Sequence, residues 1–235
     1  MTNELDVTYK TPFCKGYWIS ALKELKNPRM MIIAALITAF RIVLKAFSIP
    51  VFGKFVSITF GFYANALGSM IYGPIWGLLS GIVSDTLGAL IFPSGTYFAP
   101  FMITECLGSV IYALYLYKAK LSVSRVFLAK FSVIIICNLL LTPIITYWYC
   151  IYFGQTAIYK VITTARLLKN IAMFPIESTL LTVFLSLITK LTDKMKLTNA
   201  YSDNIKITTK HIIFIIVLTV VSVGVFFLCY FLMPR

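Results

Sequence analysis

The sequence predicts an all-α membrane protein, and three observations carry that reading. The chain of 235 residues is 60% hydrophobic and only 12% charged, with a mean hydropathy of +0.90; a water-soluble domain has no way to hide so much apolar surface. Apolar runs long enough to cross a bilayer recur along most of the length. The basic residues, which bring the net charge to +13, gather in the connections between those runs. Seven spans result, near residues 30–50, 57–72, 74–92, 99–117, 126–153, 163–189 and 208–232. They divide the chain into an N-terminal segment (1–28), a six-span membrane core (29–196) and a linker with one additional C-terminal span (197–235).

Taken in order, residues 1–28 lack the apolar core of a signal peptide. Their stretch KGYWISALKELKNP has the pattern of an amphipathic helix on the cytoplasmic surface, ended by Asn27-Pro28. The first span carries Ala35 and Ala39, a small-xxx-small pair that lets another helix approach closely. Arg41 and Lys45 share a second face roughly 120° away at about 100° per residue. SIPVFGKFVSITFGFYANA is too polar and Gly-broken for plain span, and is expected as a loop folding over a site and then entering the second helix. The second span is the weakest, and Pro74 separates it from the third. Gly73, Gly77 and Gly81 recur every fourth residue there, which fits tight internal packing, and Asp85 comes late in the same span.

FPSGTYFAP follows, with Pro93 and Pro100 framing Gly95, and brings Tyr97 and Phe98 to the outer face along with Phe92. Glu105 comes early in the fourth span. Tyr147, Trp148, Tyr149 and Tyr152 end the fifth; aromatics at that level form an interfacial belt, a stacking rim for a planar ligand, or both. In the sixth, Arg166, Asn170, Met173 and Glu177 are spaced 4, 3 and 4 apart along one stripe, with Lys169 beside it.

Fourteen basic residues (Lys10 to Arg29, Lys118 to Lys130, Lys190 to Lys210) fall on one side if the N-terminus is cytoplasmic, as the positive-inside rule requires. The excess charge is then topological, and nucleic-acid binding is set aside. In that orientation nearly every ionisable residue within a span lies in the outer half of the protein. An ionised group at a span centre costs at least about 2.5–3.5 kcal/mol, so such groups face a partner or a water-filled cavity. Three readings compete: a ligand cavity, snorkelling of Lys45, Arg166 and Lys169 to the interface, and structural ion pairs among acids and bases. No GxxxxGK[ST], HExxH or GxSxG motif is present, so uphill movement of a substrate would draw energy from another subunit. The five cysteines have no CxxC spacing and His211 is the sole histidine, so no metal or cofactor is expected.

The runs AALITAFRIVLKAFSIP, SITFGFYANALGSMIYGPIWGLLSGIVSDTLGALIFPSGTYFAPF and ECLGSVIYALYLY resemble the substrate-binding S components of energy-coupling factor (ECF) vitamin transporters, and ARLLKNIAMFPIESTLL looks like the folate-specific kind. The resemblance covers roughly Pro28 to Lys194. It implies a six-helix membrane core, folate as ligand at the extracellular face, and docking on a transmembrane coupling subunit with two cytoplasmic ATPases. It also implies a plasma-membrane location and no enzymatic activity of the chain itself. The family's AxxxA docking motif matches Ala35 and Ala39, and its basic and amide positions match Arg166, Lys169 and Asn170. The seventh span and the N-terminal 28 residues exceed the family's core.

Folate chemistry suits the inventory. Its glutamate tail offers two carboxylates to Arg166, Lys169 and Arg41, and its pteridine edge offers donors and acceptors to Asn170, Glu177 and Asp85. Tyr97 and Phe98 would stack or close the site, and Lys45 and Glu105 complete the expected set. The alternatives are an S component for riboflavin, thiamin or a queuosine precursor, and an intramembrane enzyme using Glu177 or Glu105 as acid or base.

Overall fold

The computed structural model describes residues 12, 14–52, 56–93, 96–154, 159–194, 212–221 and 224. Lys10, Gly95, Lys196, Lys206, Lys210, His211, Cys229 and much of the expected seventh span lie outside the described residues. Among the described residues, three helical stretches are long and apolar enough to cross a membrane, Gly61–Ile91, Val123–Tyr152 and Lys169–Thr189; Phe101–Leu116 and Ile212–Val221 are shorter apolar helices.

Helix α1 (Lys15–Leu25) forms where the amphipathic pattern placed it. It does not simply lie on a surface, however. Tyr17 and Ala21 are fully buried, and the Tyr17 hydroxyl donates to the Ala113 carbonyl at 2.8 Å. The Tyr17 ring meets Tyr117 edge-on at 5.1 Å, while Glu24 Oε1 accepts from the Tyr117 hydroxyl at 2.9 Å and lies 3.4 Å from Lys118 Nζ. Small Ala21 and aromatic Tyr17, four residues apart, give α1 a face that packs on protein while Trp18, Ile19 and Leu22 stay exposed.

Helix α2 (Pro28–Ala46) starts on Asn27, whose side chain accepts from the Arg29 N–H, with Pro28 in the first turn. Strands β1 (Ser48–Phe52) and β2 (Val56–Thr59) then pair antiparallel, Ser48 opposite Thr59. This hairpin corrects the loop read there and moves the next helix start from 57 to Gly61, while the other described elements are helical. Two short β-branched runs on either side of a glycine are the ordinary signature of a hairpin.

Helix α3 (Gly61–Ile91) is two helices joined at a sharp turn, where Gly73 takes φ 78° ahead of Pro74. Only glycine adopts that conformation cheaply, and Pro74 cannot donate the bond that would continue the first half. Gly61 and Gly88 would be ~40 Å apart on a straight helix. Yet a Cβ on Gly61 would lie 3.1 Å from Lys45 Cγ and one on Gly88 would lie 4.0 Å from Lys45 Cδ. The chain therefore folds back at Gly73, and Trp76 lies directly on Gly68. The second and third spans of the sequence reading are these two halves.

Helix α4 (Phe101–Leu116) packs on the second half of α3 through the glycine repeat: Gly77 meets Ser109, and Gly81 meets Cys106. Helix α5 (Val123–Val133) is capped by Ser122 and continues through a π-helical segment, Ile134–Leu141, into α6 (Thr142–Tyr152). Pro143 has no N–H and its ring crowds the carbonyl four residues back, so the turn widens ahead of it. The Thr142 hydroxyl donates to the Cys137 carbonyl across the wide turn at 2.7 Å. Helix α7 (Tyr159–Lys194) runs 36 residues. Helix α8 (Ile212–Val221) sets Phe214 against Phe127 at 6.2 Å, and Ile215 and Leu218 against the core.

Candidate functional site

Two connected chambers open at the end of the bundle opposite α1. The outer one, about 750 Å³, lies between Lys45, Asp85 and Glu105 on one side and Phe92, Tyr97 and Phe98 on the other. The inner one, about 210 Å³, is bounded by Phe62, Lys130, Asn138, Lys169, Asn170 and Glu177. Lys45, Thr59 and Glu105 line both.

Arg41 lines neither chamber. It is 1% exposed, and its Nη1 donates to Ser80 Oγ at 3.0 Å and Ser109 Oγ at 3.1 Å. Its Nη2 pairs with Glu105 Oε2 at 2.5 Å. The small residues of α3 and α4 leave the space a guanidinium needs, and their hydroxyls satisfy it. Arg41 thus fixes Glu105, whose second oxygen holds Lys45 Nζ at 3.0 Å. Lys45 also reaches Asp85 Oδ1 at 3.5 Å, while Asp85 Oδ2 is buried without a hydrogen-bond partner. The structural ion-pair reading therefore holds for part of this cluster; Arg41 is shut away, while Lys45, Asp85 and Glu105 border open space.

On the far wall, α7 presents its polar stripe to α5, the π-segment and α6 in three rungs. Glu177 Oε2 pairs with Lys130 Nζ at 2.8 Å. The Asn138 amide donates to Asn170 Oδ1 at 3.0 Å. Arg166 donates to Thr146 Oγ1 at 2.9 Å. Lys130 and Thr146 are 16 residues apart, which at about 100° per residue would set them roughly 160° apart on an α-helix. Both nevertheless face α7, because the eight-residue π-segment between them takes up the difference.

Lys130 was grouped by sequence with the topological charges; the structure corrects this. It is buried, paired with Glu177, and lies 3.8 Å over the Phe62 ring. Its depth follows from α5 starting at Val123, only two turns earlier. Asn138 went unread altogether because one amide in IIICNLLL hardly alters hydropathy; Pro143 shortly after it was the available signal. Asn65, buried on the first half of α3, also lines the inner chamber.

The rest of the expected set divides cleanly. Lys169, Asn170 and Glu177 line the inner chamber, and Lys45, Asp85, Glu105, Tyr97 and Phe98 line the outer. Arg166 is among the lining residues of neither. Phe98 stacks into an aromatic group, 5.6 Å edge-on from Tyr149 and 6.1 Å from Phe101. Ala35 and Ala39 are exposed on α2, away from both chambers.

Comparison with known proteins agrees with this arrangement. The family described as "ECF transporter, substrate-specific component" matches residues 29–185. Among solved structures, the chain is similar to the crystal structure of FolT bound with folic acid, at 29% identity over 65% of this chain and 88% of that one, with a TM-score of 0.56. Comparison with curated protein sequences gives no match. Because the family match spans most of the chain, from the start of α2 well into α7, this protein belongs to the substrate-specific components of ECF transporters.

Proposed function

We propose that the chain is the folate-binding membrane subunit of an ECF-type, ATP-driven uptake transporter. The observation that carries this reading is the 29% identity to FolT bound with folic acid over 88% of that chain. The chambers supply fitting chemistry. A planar ring edge meets the amides and carboxylate of the inner chamber, and a dicarboxylate tail meets Lys45, which borders both chambers, and Lys169 of the inner one. In this assignment Arg41 acts through Glu105 rather than on the tail, and Asp85 takes its place beside Lys45.

The same reading orients the N-terminus to the cytoplasm in a bacterial plasma membrane, with the chambers open to the outside. It makes α1 and α8 additions to a six-helix core. Ala35 and Ala39, with exposed Ile32 and Leu36 alongside, offer the coupling subunit a flat apolar strip for close helix approach. Two ATPases bound to that subunit would supply the energy.

Titration of the purified protein against folate, thiamin and riboflavin, followed by quenching of its three tryptophans, tests the substrate. Saturation by folate alone is expected. Binding of thiamin or riboflavin in its place would overturn the assignment and leave the family standing. Pull-down of the chain with its ATPases, and loss of that capture on Ala35→Leu or Ala39→Leu, tests the docking strip.

A further inference from the structure

The middle rung between the π-segment and α7 has a property that neither amide has alone. A free asparagine rotates to offer a ligand either its carbonyl or its NH2. Asn138 and Asn170 are tied by one hydrogen bond of 3.0 Å, so the amide that donates turns its carbonyl outward and the amide that accepts turns its NH2 outward. Both line the inner chamber, and Asn170 is buried. The joined pair therefore displays one acceptor and one donor side by side, in either of its two flipped states, and never two of a kind.

We infer that the Asn138–Asn170 rung is the ring-reading element of the site and that Asn138 is a specificity-determining residue. It takes a heteroaromatic edge on which a donor and an acceptor are neighbours, such as the –C(=O)–NH– of a lactam or the –C(NH2)=N– of an amidine. The rungs on either side hold it in register: Lys130–Glu177 fixes α5 to α7, and Arg166–Thr146 fixes α6. The π-turn makes this alignment possible by bringing residues 130, 138 and 146 to one wall. The inference rests on the folate reading for its ligand, since a pteridine carries such an edge.

The test is equilibrium binding to the full chain of three probes: folic acid, its 2,4-diamino analogue, and p-aminobenzoylglutamate, which has the tail and no ring. Wild type is expected to bind folic acid and the diamino compound within about tenfold of each other, because the rung flips to suit either edge. Asn138→Ala removes half the display and is expected to weaken folic acid by about tenfold while leaving p-aminobenzoylglutamate unchanged. Asn138→Asp makes the display all acceptor, which opposes the acceptor of either edge, and is expected to weaken folic acid and the diamino compound alike by about tenfold while leaving p-aminobenzoylglutamate unchanged. If wild type binds no folic acid, the folate reading falls and this inference with it. If wild type binds folic acid but Asn138→Ala weakens ring and tail probes alike, or leaves both unchanged, the inference alone falls. Asn138→Ala decides the matter even if Asn138→Asp does not fold.

Discussion

The two walls of the site solve the problem of buried charge in opposite ways. On the α2–α3–α4 side, glycines and serines bring backbones close, and Arg41 is enclosed with three partners. On the α5–α7 side, the Lys130–Glu177 and Asn138–Asn170 rungs border open space. At Arg41 the first wall turns charge into architecture; the second wall leaves its polar groups bordering open space. Sequence spacing alone does not separate Arg41, shut into the first wall, from Lys169, which lines the inner chamber. What separates them is the size of the residues opposite.

Substitutions that exchange the roles of the walls sharpen this contrast. The largest effect is expected from Arg41→Ala, which leaves Glu105 without its guanidinium; breaking a buried pair typically costs about 3–5 kcal/mol, seen as a lowered melting temperature in detergent. Glu177→Gln is next: it strands Lys130 and destabilises by a few kcal/mol, whereas the double change Lys130→Met with Glu177→Leu restores the melting temperature because it removes both charges. That double variant should still lose folate affinity, which no purely structural pair would do.

Glycine substitutions probe packing on either side of α4. A Cβ on Gly81 would sit 2.9 Å from the Cys106 Cα, against backbone, so Gly81→Ala should destabilise by about 1–3 kcal/mol. A Cβ on Gly108 would meet Cys137 Sγ and Val133 Cγ1 at 3.8 Å, an ordinary contact. Gly108→Ala should therefore change the melting temperature little. Equal losses in the two would erase the distinction between the walls.

The smallest effect is expected at the far end, in α1. Burial pushes the Glu24 carboxyl above its ordinary range, outweighing the downward pull of Lys118 and Tyr117. A folded-state value above the unfolded one means that the folded chain holds the proton more tightly. That contribution is full below the ordinary glutamate range and is lost as pH rises through the raised value. The melting temperature should thus fall slightly as pH rises through that window, and Glu24→Gln should flatten the slope.

Much of this was legible in the sequence. Helical spacing placed Arg166, Asn170 and Glu177 on one stripe, the glycine repeat marked a tight interface, and Pro74 marked a break between spans. The hairpin was hidden because β1 and β2 are too short to stand out from a Gly-broken loop. The π-turn was hidden because it depends on a backbone bond that Pro143 fails to donate, and without it Lys130 and Thr146 read as facing apart. Lys130 itself was misplaced because its depth depends on where α5 begins, which hydropathy blurs by a turn or two.

Lys45 borders both chambers and is held at rest by Glu105 and Asp85. Under the proposed folate reading, a tail carboxylate that drew Lys45 to itself in the outer chamber would release Glu105 Oε1 toward the inner one. The halves of the ligand would then be energetically coupled, and linkage makes such coupling reciprocal: each half would change the affinity for the other by the same factor. A site of that kind would weigh the intact molecule rather than sum its parts, so fragments in the surrounding medium would compete less well than their separate contacts imply.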